Sequence, residues 1–246
     1  MVVIINADDL GMNQRVNREI FRLIDAGAVT SATMLANGAA IEEAAVEARA
    51  FPRCSFGVHL NLTEFKPLTT ESGLRAILDD EGRFRGNHIR GIHIDARLKE
   101  AIFREWCAQI ERLLALGITP SHIDSHHHTH TIPALLALLR RVREKFSIRK
   151  VRISRNVYAA GEPFVLKLKK SVYNAALRHV AGFKTTDRFS GLDMFIAAEG
   201  AASQSARSVE LMVHPGATGS EQEAHLLGDW LENRGKHIRL INYSDL

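Results

Sequence analysis

The sequence predicts an α/β protein built as a (β/α) barrel, and three observations predict it. Short runs of β-branched and other apolar residues alternate with amphipathic stretches along all 246 residues. Repeated strand–helix units imply parallel strands with helices packed outside them. Six or more such units fit in this length, which suits a closed barrel better than an open sheet. No linker, repeat or low-complexity tract divides the chain, so residues 1–246 read as one domain.

The elements follow in order. Val2-Val3-Ile4-Ile5 marks a buried strand over 2–6. A helix over 14–26 has Asn13 as its cap and Gly27 as its stop. A strand over 31–35, a helix over 41–50 and a strand over 55–61 come next. Asp95 caps a helix over 96–116, whose Leu98, Ile102, Trp106, Ile110 and Leu113 form one stripe. Gly117 ends it, and Pro120 precedes a strand over 121–125. Pro133 suits the first turn of a helix over 133–145. Strands over 150–154 and 184–186 flank a helix over 164–180. A strand over 210–213 leads to a helix over 221–234, where Ser220 and Glu223 have capping-box spacing, and a strand over 238–242 follows. The glycine-rich segment at about 63–95 breaks the rhythm as an inserted loop, and 156–162 is a second irregular block. Insertions of this kind tend to lie over a site.

Apolar residues make up 46% of the chain and charged residues 24%, the balance of an ordinary globular protein. No apolar run approaches the roughly 20 residues that cross a bilayer, so no transmembrane segment is expected. The first residues lack the basic region of a signal peptide. Cys54 and Cys107 lie in different elements and form no metal-type pair, as expected for free thiols of a cytoplasmic protein. The formal net charge is +4. Its excess gathers at Arg140, Arg141, Arg143, Lys145, Arg149, Lys150, Arg152 and Arg155, then at Lys167, Lys169 and Lys170. Solvated helix faces explain these; the competing use is attraction of nucleic acid, a membrane surface or an acidic glycan. No aromatic residues are interleaved to stack bases, so no nucleic-acid partner is expected. A nucleic-acid-binding protein using the basic 140–170 segment is kept as the alternative of another class.

Four groups at strand ends carry chemistry: Asp8-Asp9; His59 in Phe56-Gly57-Val58-His59-Leu60-Asn61; the run from His122 and Asp124 through His126, His127, His128 and His130; and His214 before Pro215-Gly216. Two adjacent carboxylates leaving a buried strand are costly unless something positive pairs with them. Extended backbone would send His126 and His128 to one side and His127 to the other. Carboxylate with imidazole suits one borderline divalent ion, Zn²⁺ or, where carboxylate and water dominate, Mg²⁺. Two histidines and one aspartate leave coordination positions open, and a spare carboxylate and histidine remain as base and acid. A two-metal phosphoesterase is the nearest alternative hydrolase, but it needs more bridging carboxylates than the sequence offers.

Asn6-Ala7-Asp8-Asp9-Leu10-Gly11, Gly57-Val58-His59-Leu60-Asn61-Leu62-Thr63, His122-Ile123-Asp124-Ser125-His126-His127-His128, Val151-Arg152, Glu210-Leu211-Met212-Val213-His214-Pro215-Gly216 and Asn242-Tyr243-Ser244-Asp245-Leu246 together resemble the YdjC-like carbohydrate deacetylases. The resemblance runs through essentially the whole chain. It implies a TIM-like, distorted barrel that removes the N-acetyl group from an amino sugar or oligosaccharide. It also implies Asp9, His59 and His126 as metal ligands, Asp8 as base and His214 as acid, with Asp8 and Asp9, or His126 and His128, able to exchange roles. Asp124, His128 and Asn61 are expected to support the ligands or face the substrate. The expected partner is an N-acetylated saccharide, and a homodimer is compatible with edge strands and exposed insertions.

Overall fold

The computed structural model describes residues 1–158, 161–198, 206–220, 222–233 and 238–246. Among the described residues, seven parallel strands form a curled sheet with helices outside, a distorted (β/α) barrel as the alternation predicts. The strands are β1 (Val2–Leu10), β2 (Ser31–Met34), β3 (Ser55–Leu60), β4 (Ile123–Ser125), β5 (Arg188–Gly191), β6 (Ser208–Val213) and β7 (Arg239–Leu240). Their order is β4-β3-β2-β1-β6-β5, with β7 paired to the start of β1. The helices are α1 (Gln14–Asp25), α2 (Ile41–Ala48), α3 (Ala96–Ala115), α4 (Leu136–Phe146), α5 (Phe164–His179), α6 (Leu192–Ala197) and α7 (Glu223–Asn233).

Local chemistry fixes several boundaries as expected. Asn13 accepts from the Val16 N–H, and Asp95 accepts from the Leu98 N–H. The α3 stripe of Leu98, Ile102, Trp106, Ile110 and Leu113 is buried against the sheet. Glu223 behaves differently. Rather than closing a capping box, its carboxylate accepts from the backbone N–H of His214 and so fixes the turn after β6.

The ring is distorted where side-chain amides replace the strand ladder. The strands expected over 150–154 and 184–186 survive only as single bridges, Val151 with Ile123 and Lys150 with Lys184. Asn174 takes both backbone groups of Ser154, at 2.8 and 2.9 Å. Asn156 bonds the Phe189 N–H at 3.0 Å and the Asp187 carbonyl at 2.9 Å. With those groups engaged, a regular ladder cannot extend through the segment, and the neighbouring strand forms later, at β5.

The inserted loop is packed against α3. Its Leu74, Ile77, Phe84 and Ile89 are buried. Glu105 accepts from the N–H groups of Leu68 and Thr69, and Gln109 pairs with both backbone groups of Asn61. At the barrel floor, the Tyr243 N–H lies on the hydroxyls of Ser31 and Ser55, and its ring stacks 3.6 Å from His122.

The basic cluster at 140–155 divides in two. Arg140, Arg141 and Lys145 are exposed and paired with Glu144, Glu100 and Glu111. Arg152, expected on the same solvated surface, is instead fully buried inside the barrel. Among the described residues no helix is long and apolar enough to cross a membrane.

Candidate active site

A bulge at the end of β1 brings both acids to one place. In a regular strand Asp8 and Asp9 would point to opposite faces. The register against β2 shifts between Ala7 and Leu10, and Asp9 adopts a left-handed φ of +69°. Extra residues in a strand re-aim side chains in this way. Gly11 follows at φ +95°, where an added Cβ would lie 2.8 Å from Ile41 Cδ1. As a result Asp8 and Asp9 each bring a carboxylate oxygen within 4.8 Å of a His59 nitrogen.

Asp9, His59 and His126 form the central trio. Asp9 Oδ1 lies 3.1 Å from His59 Nε2 and 2.7 Å from His126 Nδ1. The distances are close, yet Asp9 Oδ1 makes no hydrogen bond of acceptable geometry, and neither does His126 Nε2. Both atoms are buried, where an unsatisfied polar group is expensive. An oxygen and two imidazoles converging without hydrogen bonding one another form a group that could hold a divalent cation.

Each histidine has an acid beside its other nitrogen. His59 Nδ1 meets Asp124 Oδ1 at 2.7 Å and Thr33 Oγ1 at 3.1 Å. His126 Nε2 lies 3.5 Å from Glu64 Oε1 on the inserted loop. Burial opposes protonation of both histidines, but their acidic neighbours prevail. Asp124 first, then Asp9 and Asp8, raise His59 well above its ordinary value; Asp9 and Glu64 raise His126 to about 9. Burial alone would raise the Asp9 carboxyl, but the two imidazoles hold it well below the usual range.

The histidine run is not extended. His126–Thr131 is a 3₁₀ turn in which His127 and His128 take left-handed φ values of 50° and 55°. Arg90, from the inserted loop, clamps it by donating to the carbonyls of His127 and His128 at 2.7 and 2.9 Å. The expected pairing of His126 with His128 on one side therefore fails. His126 faces Asp9, whereas His128 turns to the Phe189 ring, 5.6 Å away, and lines a neighbouring cavity. Burial and Arg152 pull His128 down to about 3, so it is neutral. His127 leans on His126 and meets Thr63 Oγ1 at 3.0 Å.

Asp8 belongs to a different cluster. Arg152 meets it with two nitrogens, at 2.6 and 2.7 Å, and also reaches Asp124 at 2.8 Å and Glu210 at 2.7 Å. Asn6 adds a hydrogen bond to Asp8 at 2.9 Å. Burial opposes ionisation, but the guanidinium holds the Asp8 carboxyl far below its ordinary value. On the open side His214 Nε2 lies 4.0 Å from Asp8 Oδ2, with its side chain 33% exposed. Asn61 does not face the opening. It is buried, and its amide binds the turn that carries Thr63 and Glu64.

A cavity of about 610 Å³ beside His128 is lined also by Arg155, Phe189 and Met194. A more open hollow of about 970 Å³ holds His214, Asp193 and Glu223, and the two share Gly191, Asp193 and Met212. Arg152, Glu210, Thr33 and Glu64 are the members that sequence reasoning missed. The available signal for Arg152 was a cation between the apolar Val151 and Ile153.

A family model described as "YdjC-like protein" matches residues 2–239. Three curated relatives are each described as a carbohydrate deacetylase. That of Geobacillus stearothermophilus is 38% identical over 156 residues, 62% of this chain and 60% of the relative. That of Vibrio campbellii is 40% identical over 148 residues, 60% of this chain and 57% of the relative. That of Brevibacillus brevis is 37% identical over 148 residues, 60% of this chain and 58% of the relative. The chain thus matches about three fifths of the length of each. A crystal structure from Enterococcus faecalis V583, provisionally described as a cellobiose-phosphate cleavage protein, is 25% identical; it covers 99% of this chain and 98% of its own, with a TM-score of 0.76.

Proposed function

The chain belongs to the YdjC-like protein family, and from that membership we propose that it is a metal-dependent deacetylase of N-acetylated saccharides. The observation that carries this reading is the convergence of Asp9, His59 and His126, with a buried Asp9 oxygen that no hydrogen bond satisfies. The description of the curated relatives as carbohydrate deacetylases supports it.

Asp9, His59 and His126 would hold one divalent cation, Zn²⁺ or Mg²⁺. Bound there, such an ion polarises a carbonyl and lowers the pKa of water from 15.7 towards about 7. Asp124 holds His59 by its other nitrogen, which fixes the tautomer and the ring plane. Asp8 accepts the proton from the attacking water. The fork from Arg152 keeps Asp8 ionised and aimed, and it leaves Asp9 as the acid that faces the imidazoles. That division supports Asp8 as base and Asp9 as ligand.

An amide nitrogen leaves only when protonated. His214, on the open side of Asp8, donates that proton to the departing amine. The products are acetate and a free amino sugar. The test is acetate release across a panel of N-acetylated saccharides, with and without a chelator. Release that the chelator abolishes supports the reading. No release from any member, at any metal loading, overturns it.

A further inference from the structure

Helix α5 presents the wrong face to solvent for an ordinary surface helix. Its inward side buries Tyr173, Asn174 and Leu177. Its outward side carries Phe164, Leu168 and Val172, one per turn, with Val165 beside them. These are 75%, 51%, 63% and 60% exposed. The outer face of a surface helix is normally polar. The charges are equally one-sided. From Phe164 to His179 there is no Asp or Glu, while Lys167 and Lys169 border the apolar ridge on either side; Lys170 turns to the inner side, and Arg178 donates to Thr185 and Thr186. Among the described residues no carboxylate lies within ion-pair distance of the three lysines; Lys167 and Lys170 instead rest 5.3 Å from the Tyr158 ring centre.

We propose that α5 docks this protein on an anionic phospholipid surface. An apolar ridge bordered by lysines fits a bilayer interface: the ridge enters the headgroup boundary and the cations meet lipid phosphates. A second copy fits less well. Pairing two such faces would bury the ridge but set lysine against lysine, with no acid on either helix to compensate. The helix also forms part of the cavity wall beside His128, through Leu166, Lys169 and Lys170. This inference stands independently of the deacetylase reading, because binding is read without any turnover.

The test is co-sedimentation of the full chain with vesicles of phosphatidylglycerol and phosphatidylcholine, and with vesicles of phosphatidylcholine alone. The expected result is binding to the anionic vesicles only, weakened as salt screens the lysines. The combined variant Phe164→Ser, Leu168→Ser, Val172→Ser should lose about tenfold or more in binding. Replacing Lys167 and Lys169 by Gln should cost about fivefold per lysine and flatten the salt dependence. All these side chains are at least partly exposed, so unchanged circular dichroism and Tm confirm that both variants fold. No binding to anionic vesicles at low salt overturns the proposal. So does a triple serine variant that binds like the parent. So does a parent dimer that the serine variant converts to monomer, which would identify a second copy as the occupant.

Discussion

Arg152 grips Asp8 with two parallel bonds, Nη1 to Oδ2 at 2.6 Å and Nη2 to Oδ1 at 2.7 Å, across 144 residues of sequence. The same guanidinium reaches Asp124, which in turn holds His59. One buried cation thus ties the proposed base to the support of a proposed metal ligand. It faces three carboxylates, Asp8, Asp124 and Glu210.

Removing that cation should be severe. Arg152→Met leaves three buried carboxylates without their partner, and breaking a buried pair costs about 3–5 kcal/mol. Arg152→Lys cannot reproduce the two-point fork and should fall between the variant and the parent. Chemical denaturation measures both. A Met variant as stable as the parent would contradict the buried network.

Asp124→Asn should separate support from ligation. The amide can still bond His59 Nδ1 but carries no charge. Metal affinity should fall about 10–100-fold, with turnover recovered at saturating metal. Competitive chelator titration reads the affinity, and unchanged affinity would remove Asp124 from this role.

The two adjacent acids should behave differently. Asp8→Asn should retain the ion and lose about 10²–10⁴-fold in turnover. Asp9→Asn should lose the ion itself. Elemental analysis paired with acetate release distinguishes them, and the opposite pattern would exchange the two assignments.

Stability should respond to Glu210. Burial pushes its carboxyl up to about 7, against the partial opposition of Arg152 and Tyr243. Between its ordinary 4.5 and about 7, the folded protein holds a proton that the unfolded chain has released. Folding therefore loses stability as pH rises through that window and levels off above it. Asp8 works in the opposite sense: its depressed value adds stability above the ordinary carboxylate range that is lost on acidification. Thermal melts from pH 4 to 8 should show the Glu210 slope, and Glu210→Gln should flatten it. An unchanged slope in that variant would assign the titration elsewhere.

The legible parts of this chain are those whose signals are local. The strand of Val2 to Ile5 leads directly into Asp8 and Asp9, and Asn13 and Asp95 cap their helices as their positions predict. What stayed hidden depends on distant partners. The left-handed turn at His127 and His128 is clamped by Arg90 from the inserted loop, so no local pattern announces it. Arg152 sits among solvated cations in the sequence, and only three acids on other strands draw it inside. The late start of β5 follows from Asn156 and Asn174, whose amides occupy backbone groups that a ladder would use.

The most direct measurement is a titration of metal-stripped protein with Zn²⁺ or Mg²⁺, following acetate release from an N-acetylated saccharide together with bound ion. Activity should rise in proportion to occupancy and stop at one ion per chain, and Asp9→Asn should show neither binding nor release. Full activity in the stripped protein, or a requirement for two ions, would mean that Asp9, His59 and His126 do not form the centre proposed for them.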